Sequence, residues 1–508
     1  MILKKKNLFK IFFLVLVISY LIFNTGIFAD DYSQSRLWFG RTFQEYINLS
    51  LDNLGGKMLS RIPEYLIFNS IFFFVNINNY ILFDVSKIIL ITISIYFLYL
   101  FGRELFSGDK TKGLLFSLIF VFYPSHESIL YYYTLIPYSL FLPAIFFYAC
   151  LLIIQNRYFY LSRILFFVCS FFSYSSPPYI FSSIFFFILK KKYKEAFFAF
   201  ICLFLYLIYY LYLTKIDPSE SRLSNLDFSI PQFFKQFTLQ LISSIDANLG
   251  LSFFYKIFIS FKEISYLSII FLILIFLLLR GIKFNKKKID KNVLIFFLLI
   301  YFSSLGMYAL TFQYPQSSFN FANRVTIYFA PFISYLLTLY SNGLREKIII
   351  FLIIAIPTFC LSDHAKRWNN QKKLIQKNIK IQINNYENIQ NHQIFINHYM
   401  YSKLGNINHL EYLISPWILE SIFNHKKVYS IHSRTVLKDD IFIDEKFNFK
   451  VKIDKKFFYY DLIENKIRRI SDIDLKRLIE KTEIEIRHPL QIFFKKKKDK
   501  FIFYFPKY

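Results

Sequence analysis

The residues best suited to chemistry follow the first apolar segment, in the stretch ADDYSQSRLWFGR at 29–41. Asp30 and Asp31 are adjacent carboxylates at the expected end of a membrane helix, and Arg36 and Arg41 follow them closely. Ionised carboxylates beside hydrocarbon are costly, so they usually face a cavity or a partner. A carboxylate there could act as a general base if burial raises its pKa, and two adjacent acids could instead bind a divalent cation. The alternative is an ordinary charged loop at a membrane boundary.

A second polar group lies in YPSHES at 123–128, after another apolar segment. His126 and Glu127 are adjacent in a stretch with no other charge, and Pro124 marks a turn. We expect both side chains at the same membrane level as the acid pair. A single His with no second ligand at helical spacing does not define a metal site. The alternative is a proline-delimited turn with a partly exposed His.

The third candidate is Arg324, at the end of FNFANR and the beginning of a later apolar segment. It lies on the side of the membrane expected to be outside, against the tendency of basic residues to stay in the cytoplasm. The planar guanidinium group suits a phosphate or pyrophosphate, which we predict as its ligand. The alternative is an arginine that reaches the lipid headgroups.

Composition defines the class of protein that must position these residues. The chain has 508 residues, of which 55% are hydrophobic and 21% aromatic. Soluble domains are usually about 45–50% apolar and have short apolar runs. Here the runs are long and bounded by Lys and Arg, which predicts a mainly α, polytopic membrane protein.

The net charge of +27 points to anionic membrane lipids rather than nucleic acid, because cytoplasmic loops of membrane proteins collect Lys and Arg. The four cysteines all lie in or at the end of apolar segments, and none has CxxC spacing. The sequence therefore indicates neither a zinc site nor a disulfide framework.

The apolar segments predict about eleven transmembrane helices, with the amino terminus in the cytoplasm. A helix needs about 20 mostly apolar residues to cross the hydrocarbon core. Basic residues gather in alternate loops, which sets the orientation. We also predict a surface helix near 65–79 and a polar outer loop at 214–262. The predicted spans are 11–29, 81–101, 114–123, 135–154, 164–172, 180–189, 196–213, 267–279, 293–310, 325–340 and 348–361.

The composition changes near residue 362, which divides the chain into a transmembrane catalytic domain, 1–362, and a small α/β domain, 363–508. The second part begins with a basic, helical-looking connector and continues with short alternating runs. We expect it on the outer face of the membrane. The predicted strands are QIFINHY, KVYSI, FNFKVKI and KFIFYF, and the predicted helices are 409–424 and 473–485.

The order of these features resembles that of the GT-C membrane glycosyltransferases. They share a first helix, an acidic pair in the first outer loop, a surface helix, about ten further spans and an outer carboxyl-terminal domain. The turn with Pro124, His126 and Glu127, together with Arg324, resembles bacterial, protein-mannosyl- and oligosaccharyl-transferase-like members. The resemblance covers about residues 1–370. The chain has no WWDYG-like motif, which argues against an oligosaccharyltransferase proper.

The resemblance implies an inverting sugar transfer at the outer face of the plasma membrane. The donor would be a sugar linked to polyprenyl phosphate, and the acceptor a lipid-linked or surface glycan. Asp30 or Asp31 would be the base that activates the acceptor hydroxyl. Arg324, with Arg36 or Arg41, would hold the donor phosphate. His126 and Glu127 would line the same cavity.

Two other functions compete with this one. A polysaccharide polymerase acting on lipid-linked repeat units has similar spans, but its large outer loop usually carries arginine–glycine patterns. The 214–262 loop has one arginine, Arg222, and no suitably spaced glycine. A non-enzymatic glycolipid flippase or transporter would show charged residues inside its spans. The spans predicted here show almost none. Nucleotide-binding and soluble-hydrolase motifs are absent from the sequence.

Overall fold

The computed structural model describes most of the helical part of the chain and much of the carboxyl-terminal sheet region. Asp31, His126 and Glu127 lie within it, whereas Asp30, Arg36, Arg41 and Arg324 lie outside the described residues, as do the predicted helices 65–79 and 409–424 and the strand KFIFYF. The described residues are 5–28, 31–32, 42, 44–45, 48, 80–171, 175–216, 229–281, 289–311, 316, 326–383, 392–397, 428–431, 435–444, 449–454, 457–461 and 466–485.

The helices are numbered here in chain order over the described residues. They are α1 Lys5–Ile22, α2 Tyr80–Leu105, α3 Lys110–Phe122, α4 Ser128–Tyr131, α5 Leu142–Ile154, α6 Phe159–Ser170, α7 Pro177–Leu189, α8 Tyr193–Ile216, α9 Ile230–Leu249, α10 Leu251–Ser260, α11 Tyr266–Gly281, α12 Lys291–Leu310, α13 Ala330–Tyr340, α14 Leu344–Ile350, α15 Ile356–Ile383 and α16 Asp472–Glu485. Short 3-10 turns cover Pro124–His126, Tyr133–Leu135 and Phe261–Glu263, and π-helical turns cover Pro137–Phe141 and Phe351–Ala355.

Among the described residues, five helical stretches are long and apolar enough to cross a membrane. Each of the eleven predicted spans overlaps a helix among the described residues, so the expectation of a mainly helical protein with apolar, membrane-type helices is confirmed. Several of the remaining helices are shorter than a full crossing, and the number of crossings stays a prediction. The five stretches are Ile81–Leu105, Tyr133–Ile154, Tyr193–Tyr212, Lys291–Leu310 and Leu344–Leu374.

Two stretches differ from the sequence-based expectation. The predicted polar loop 214–262 contains two helices, α9 and α10. Helix α15 continues across residue 362 to Ile383, so the predicted domain boundary falls inside a helix. Polar residues of this helix beyond residue 362 bind the chain after α1, as described below. The chain therefore changes from helices to strands between Ile383 and Gln393.

Helices α2 and α3 cross at a glycine contact. A Cβ atom on Gly113 would lie 2.6 Å from the backbone nitrogen of Arg103 and 2.8 Å from its Cα. On the other helix, a Cβ on Gly102 would lie 3.1 Å from the carbonyl oxygen of Gly113. Small residues at such crossings let two membrane helices approach at backbone distance. The contact fixes α2, which carries two of the charged residues discussed below.

The carboxyl-terminal strands form two sheets. The first has the order β2-β1-β6-β7, in which β1 is parallel to β2 and β6, and β7 is antiparallel to β6. The second is the antiparallel sheet β3-β4-β5. The predicted strands QIFINHY, KVYSI and FNFKVKI and the helix at 473–485 are confirmed. The strands are β1 Gln393–Asn397, β2 Val428–Ile431, β3 Thr435–Lys438, β4 Ile441–Asp444, β5 Phe449–Lys452, β6 Phe457–Asp461 and β7 Lys466–Arg469.

Both faces of β1 are buried, which explains its continuous apolar run. Ile394 and Ile396 belong to the large core of the helical part, whereas Phe395 belongs to a second core under α16. The backbone nitrogen of Ile467 in β7 donates to Gln382 Oε1 near the end of α15, at 2.8 Å. The sheet is therefore attached to the helix that also holds the end of α1.

We predict that Gly113→Ala lowers the thermal unfolding midpoint of the detergent-solubilised protein. The added methyl group would collide with the backbone of Arg103, and overpacking of this kind typically costs about 1–3 kcal/mol. Gly306→Ala in α12 is the matched control, because a Cβ there meets nothing within 4 Å. Equal midpoints for the two variants would contradict the close crossing.

Candidate functional site

The chain that leaves α1 carries Asp31, and its described residues, 24–28 and 31–32, are called the α1 exit here. The last carbonyl groups of a helix have no partner within the helix. In hydrocarbon each unsatisfied group costs several kcal/mol, so the protein must supply donors. Three elements supply them to the α1 exit: α2, α15 and the segment at 131–134.

Asp84, in the first turns of α2, binds the α1 exit as an acceptor. Its carboxylate accepts from the backbone nitrogens of Asn24 at 2.7 Å and Gly26 at 3.1 Å, and from the hydroxyl of Thr25 at 3.3 Å. Lys87 lies one turn further on, with its Nζ 2.8 Å from Asp84 Oδ1. Both side chains are buried. This arrangement meets the condition under which buried ions persist, since each is paired and also hydrogen-bonded.

Lys87 joins the α1 exit to a distant part of the chain. Its ammonium group donates to Thr25 Oγ1 at 2.8 Å, to the carbonyl of Gly26, and to the carbonyl of Tyr131 at 3.3 Å. The ammonium group thus has acceptors from two loops and from its own helix. Removing its charge would release all three elements together.

Helix α15 binds the other side of the α1 exit. Lys372 Nζ donates to the carbonyl of Ile27 at 2.6 Å and lies 3.9 Å from the centre of the Phe28 ring. Asn369 Nδ2 donates to the carbonyl of Asn24 at 3.0 Å. These two side chains thus supply hydrogen-bond donors to backbone carbonyl groups that lie beyond the end of α1.

Gly26 makes this contact with α15 possible. Its φ of +74° lies in the left-handed region, which favours glycine. A Cβ atom there would lie 2.1 Å from Asn369 Oδ1, so the position has no room for a side chain. The conformation and the close approach both require glycine.

Asp31 is fully enclosed, and its carboxylate accepts three backbone hydrogen bonds. Oδ2 accepts from the nitrogens of Phe28 at 3.1 Å and Tyr133 at 2.9 Å, and Oδ1 accepts from Thr134 at 2.9 Å. Burial raises the pKa of Asp31 from 3.8 to about 6, against the lowering effect of these bonds and of the Lys87 charge. Its exposed fraction is 0%, so it has no open face towards an acceptor. In this geometry Asp31 positions the backbone at the predicted site.

His126 is buried and holds the turn at the end of α3. Its Nε2 lies 2.8 Å from the carbonyl oxygen of Phe120. Burial lowers the pKa of His126 to about 4, so the ring is neutral at physiological pH and Nε2–H donates to this carbonyl. The alternative of a partly exposed His is wrong, because His126 is 1% exposed.

Glu127 is also buried and forms an ion pair with Lys256 of α10. Lys256 Nζ donates in addition to the carbonyl of Pro124 at 2.8 Å. The same turn is tied to α9, because the hydroxyls of Tyr123 and Ser125 each donate to Asn248 at 2.6 Å, one to its backbone carbonyl and the other to Oδ1. The predicted His–Glu turn is therefore a packed junction between α3, α9 and α10.

The described candidate residues meet in one stretch of chain, 127–134. Glu127 begins it, Lys87 binds the carbonyl of Tyr131 within it, and Asp31 binds the backbone at its end. Burial, together with the negative charges of Glu127 and Asp363, raises the pKa of Tyr131 well above its usual range. The Tyr131 hydroxyl therefore stays protonated. Asp31 thus contacts the segment that follows Glu127, and the expected convergence of the acid pair with His126 and Glu127 on one cavity stays a prediction. The positions of Asp30, Arg36, Arg41 and Arg324 stay predictions.

The sequence analysis did not identify several charged residues that bind α1 and the α1 exit. A signal for Asp84 and Lys87 was available, since opposite charges three residues apart in an apolar helix predict an internal pair. Asp363 also binds inward, accepting from the Tyr20 hydroxyl at 3.1 Å and from the backbone nitrogen of Ser265 at 2.8 Å. Asp84 and Lys87 are the two charged residues within the eleven predicted spans, so the expectation that the spans hold almost no charge agrees with the sequence, and Asp363 lies just beyond the last span.

No group of three His, Cys, Asp or Glu side chains that could hold a metal ion occurs among the described residues. The oxygen atoms of Asp31 are already directed to three backbone nitrogens. Because Asp30 lies outside the described residues, divalent-cation binding by the acid pair stays a prediction.

A cavity of about 440 Å³ lies at the opposite end of α2 from Asp84. Arg103 and Glu104 line it, and 19 residues of helix separate Arg103 from Asp84. At 1.5 Å per residue this is roughly 28 Å, so the cavity lies far from the α1 exit. The remaining lining residues are Leu100, Tyr148, Leu151, Leu152, Gln155, Arg157 and Tyr158.

Comparison of the chain with known protein families, with curated proteins and with solved structures found no match. Function must therefore be inferred from the residues and their contacts.

We predict that Asp31→Asn lowers the thermal unfolding midpoint. An amide has one acceptor oxygen, so its NH₂ group would face a backbone N–H that now donates to the carboxylate. An unsatisfied buried donor costs about 1–3 kcal/mol. The matched control is Asp472→Asn in α16, at an exposed position, which should leave the midpoint unchanged.

The same variant has an expected pH signature. Because the folded pKa of Asp31 is about 6 and the unfolded value is 3.8, the folded protein takes up this proton first as the pH falls. The Asp31 contribution to stability should therefore rise between about pH 6 and pH 4 and be lowest above pH 6. The wild-type midpoint minus that of Asp31→Asn, measured across this range, should rise as the pH falls. A constant difference would contradict the burial of an ionisable group.

We predict a strong coupling between Glu127 and Lys256. Lys256→Met leaves a buried carboxylate without its cation, and breaking a buried pair typically costs about 3–5 kcal/mol. The double variant Glu127→Gln with Lys256→Met should recover much of that loss, because no uncompensated charge remains. Thermal midpoints of the two single variants and the double variant measure the coupling. Additive losses would show that the pair does not interact.

Proposed function

We propose that the chain is a GT-C-type membrane glycosyltransferase that uses a sugar linked to polyprenyl phosphate. The observation that carries the proposal is the fixation of Asp31, the second member of the acid pair. Asp31 binds the backbone of Tyr133 and Thr134, so this member of the acid pair is held against the segment that follows Glu127. Rigid placement of a base beside a substrate site is what general-base catalysis requires.

Within the pair we assign the base to Asp30 and the positioning role to Asp31. Asp31 has three hydrogen bonds to backbone nitrogens and no exposed surface, so it could not reach an acceptor hydroxyl without breaking that network. Adjacent side chains leave the backbone in different directions in both helices and strands. One carboxylate of an adjacent pair can therefore be fixed inside the protein while the other serves the substrate.

The proposed reaction is a single displacement. Asp30 accepts the proton of the acceptor hydroxyl, and the resulting oxygen nucleophile attacks the anomeric carbon. The bond from that carbon to the phosphate oxygen breaks, the configuration inverts, and polyprenyl phosphate leaves with the bonding electrons. Arg324, with Arg36 or Arg41, stabilises the negative charge of the leaving phosphate.

For His126 and Glu127 we propose a structural role in place of the predicted position in the lining of the substrate cavity. The first binds the carbonyl of Phe120 and the second pairs with Lys256, so neither group is available to a ligand. Both shape the turn that leads to the 131–134 segment. The proposed orientation, with this turn and the carboxyl-terminal domain on the outer face of the plasma membrane, follows from the distribution of basic residues.

A transporter deserves comparison because buried charges favour it. Asp84–Lys87 and Glu127–Lys256 are ion pairs inside the protein, as expected along a translocation path. Each lysine, however, also binds backbone carbonyls of adjacent turns. Such bonds fix the turns in place, whereas a transport path needs groups that exchange partners. We therefore prefer the enzyme, with polymerisation of lipid-linked repeat units as the other enzymatic alternative.

We predict that Asp30→Asn abolishes sugar transfer while the thermal midpoint stays at the wild-type value. The variant removes the proposed base but none of the contacts described for Asp31. Complementation of a host strain lacking the gene, with mass spectrometry of its surface glycans and lipid-linked sugars, measures the loss. Asp31→Asn is the comparison variant and should lower both the midpoint and the glycan yield.

Normal glycan output from Asp30→Asn would contradict the assignment of the base. Normal output from Asp30→Asn, Asp31→Asn and the double variant would contradict glycosyl transfer through the acid pair altogether.

A further inference from the structure

Helix α10 has its polar side chains inside the protein and its large apolar side chains outside. Ser252, Lys256 and Ser260, spaced four residues apart, are buried on one face. Leu251, at 67% exposure, and Phe258, at 66%, lie on the opposite face. A surface helix in water has the opposite arrangement, with its apolar side chains towards the core and its polar side chains towards the solvent.

The second half of α9 has the same reversed polarity. Ser243, Ser244 and Asn248 are buried, and their polar atoms are bonded within the protein. The Tyr301 hydroxyl of α12 donates to Ser244 Oγ at 3.1 Å, and Asn248 accepts from the turn that follows α3. The buried polar face is thus satisfied by neighbouring helices.

The most exposed described side chains of this element are all apolar. Over residues 240–261, every described residue that is exposed has a large hydrophobic side chain, and the exposed residues of α9 and α10 continue into the 3-10 turn after α10. Contiguous apolar surface of this kind marks an interaction site. The exposed residues are Ile242, Ile245, Leu249, Leu251, Phe254, Phe258 and Phe261.

The neighbours of this surface indicate lipid as its partner. Helix α9 packs against α12, one of the five helices apolar enough to cross a membrane. Helix α12 itself exposes Phe302 and Ile295 to its surroundings, so the apolar surface of α9 lies beside a lipid-facing helix. Exposed lysines, Lys235 before the apolar stretch and Lys262 after it, bracket the stretch. Lysines at such ends reach the headgroups while their stems stay apolar.

We propose that residues 240–261 are embedded in the bilayer and contact its acyl chains, although the sequence there reads as a polar loop. Helix α10 has 10 residues, about 15 Å of helix, and is too short to cross. The chain therefore enters and leaves on the side of Lys235 and Lys262 without an additional crossing. The inward polar face, including Lys256, meets the His–Glu turn, so lipid contact holds α10 against that turn. This proposal does not depend on the proposed enzymatic function.

The test uses single cysteines at Ile245, Phe254 and Phe258, each labelled with a small fluorophore in the full-length protein. The native cysteines, which are all buried, are replaced by serine or alanine. The purified protein is reconstituted into phosphatidylcholine vesicles with and without a doxyl group on the acyl chain. Lys476→Cys, at an exposed position of α16, is the matched control. We expect doxyl lipids to quench the three labels several-fold more than the control label.

Each other result overturns the proposal. Quenching no stronger than at Lys476→Cys, or equal reaction with a membrane-impermeant maleimide in the same vesicles, would place residues 240–261 in water. Protection in native membranes combined with reaction in pure lipid vesicles would show that a protein partner, and not lipid, covers the surface. Wild-type thermal midpoints for the cysteine variants verify that each result reports on the folded protein.

Discussion

The buried ion pair between Asp84 and Lys87 is the interaction on which the α1 exit and the 131–134 segment depend. Asp84 supplies acceptors for three groups of the α1 exit, and Lys87 supplies donors to that exit and to the carbonyl of Tyr131. In a membrane the backbone groups beyond a helix end have no water to bind. The pair takes the place of that water. It thereby fixes the segment in which Asp31 meets the backbone of Tyr133 and Thr134, and in which Asp30 is proposed to act.

The second ion pair, Glu127–Lys256, extends the same principle towards α10. Its lysine also binds a backbone carbonyl, and its helix turns its polar residues inward. Both pairs therefore stabilise turns at the ends of helices and leave apolar surface towards the surroundings. A transferase that works on a lipid-linked substrate needs such fixed turns, because its proposed base and its proposed phosphate-binding arginines come from separate loops. The two buried ion pairs therefore supply the rigid turns that the proposed chemistry needs.

The sequence predicted the helices well because hydrophobic segments of membrane length carry a strong signal. It predicted β1 for a related reason, since its apolar residues are buried on both faces of a sheet. It failed for α9 and α10, where Gln240, Ser244 and Asn248 lower the local hydropathy although they face the protein interior. It also left the roles of Asp30 and Asp31 open. The contacts that define Asp31 join it to residues about 100 positions away, and such contacts are not visible in local patterns.

The central claim is that the chain breaks the bond between a sugar and polyprenyl phosphate. The most direct measurement is the release of free polyprenyl phosphate by the purified protein in vesicles that contain a panel of undecaprenyl-phosphate-linked monosaccharides and candidate glycan acceptors. The account predicts acceptor-dependent release, with inversion at the anomeric carbon of the product. Movement of an intact lipid-linked sugar across the bilayer without release would contradict it and would indicate a flippase.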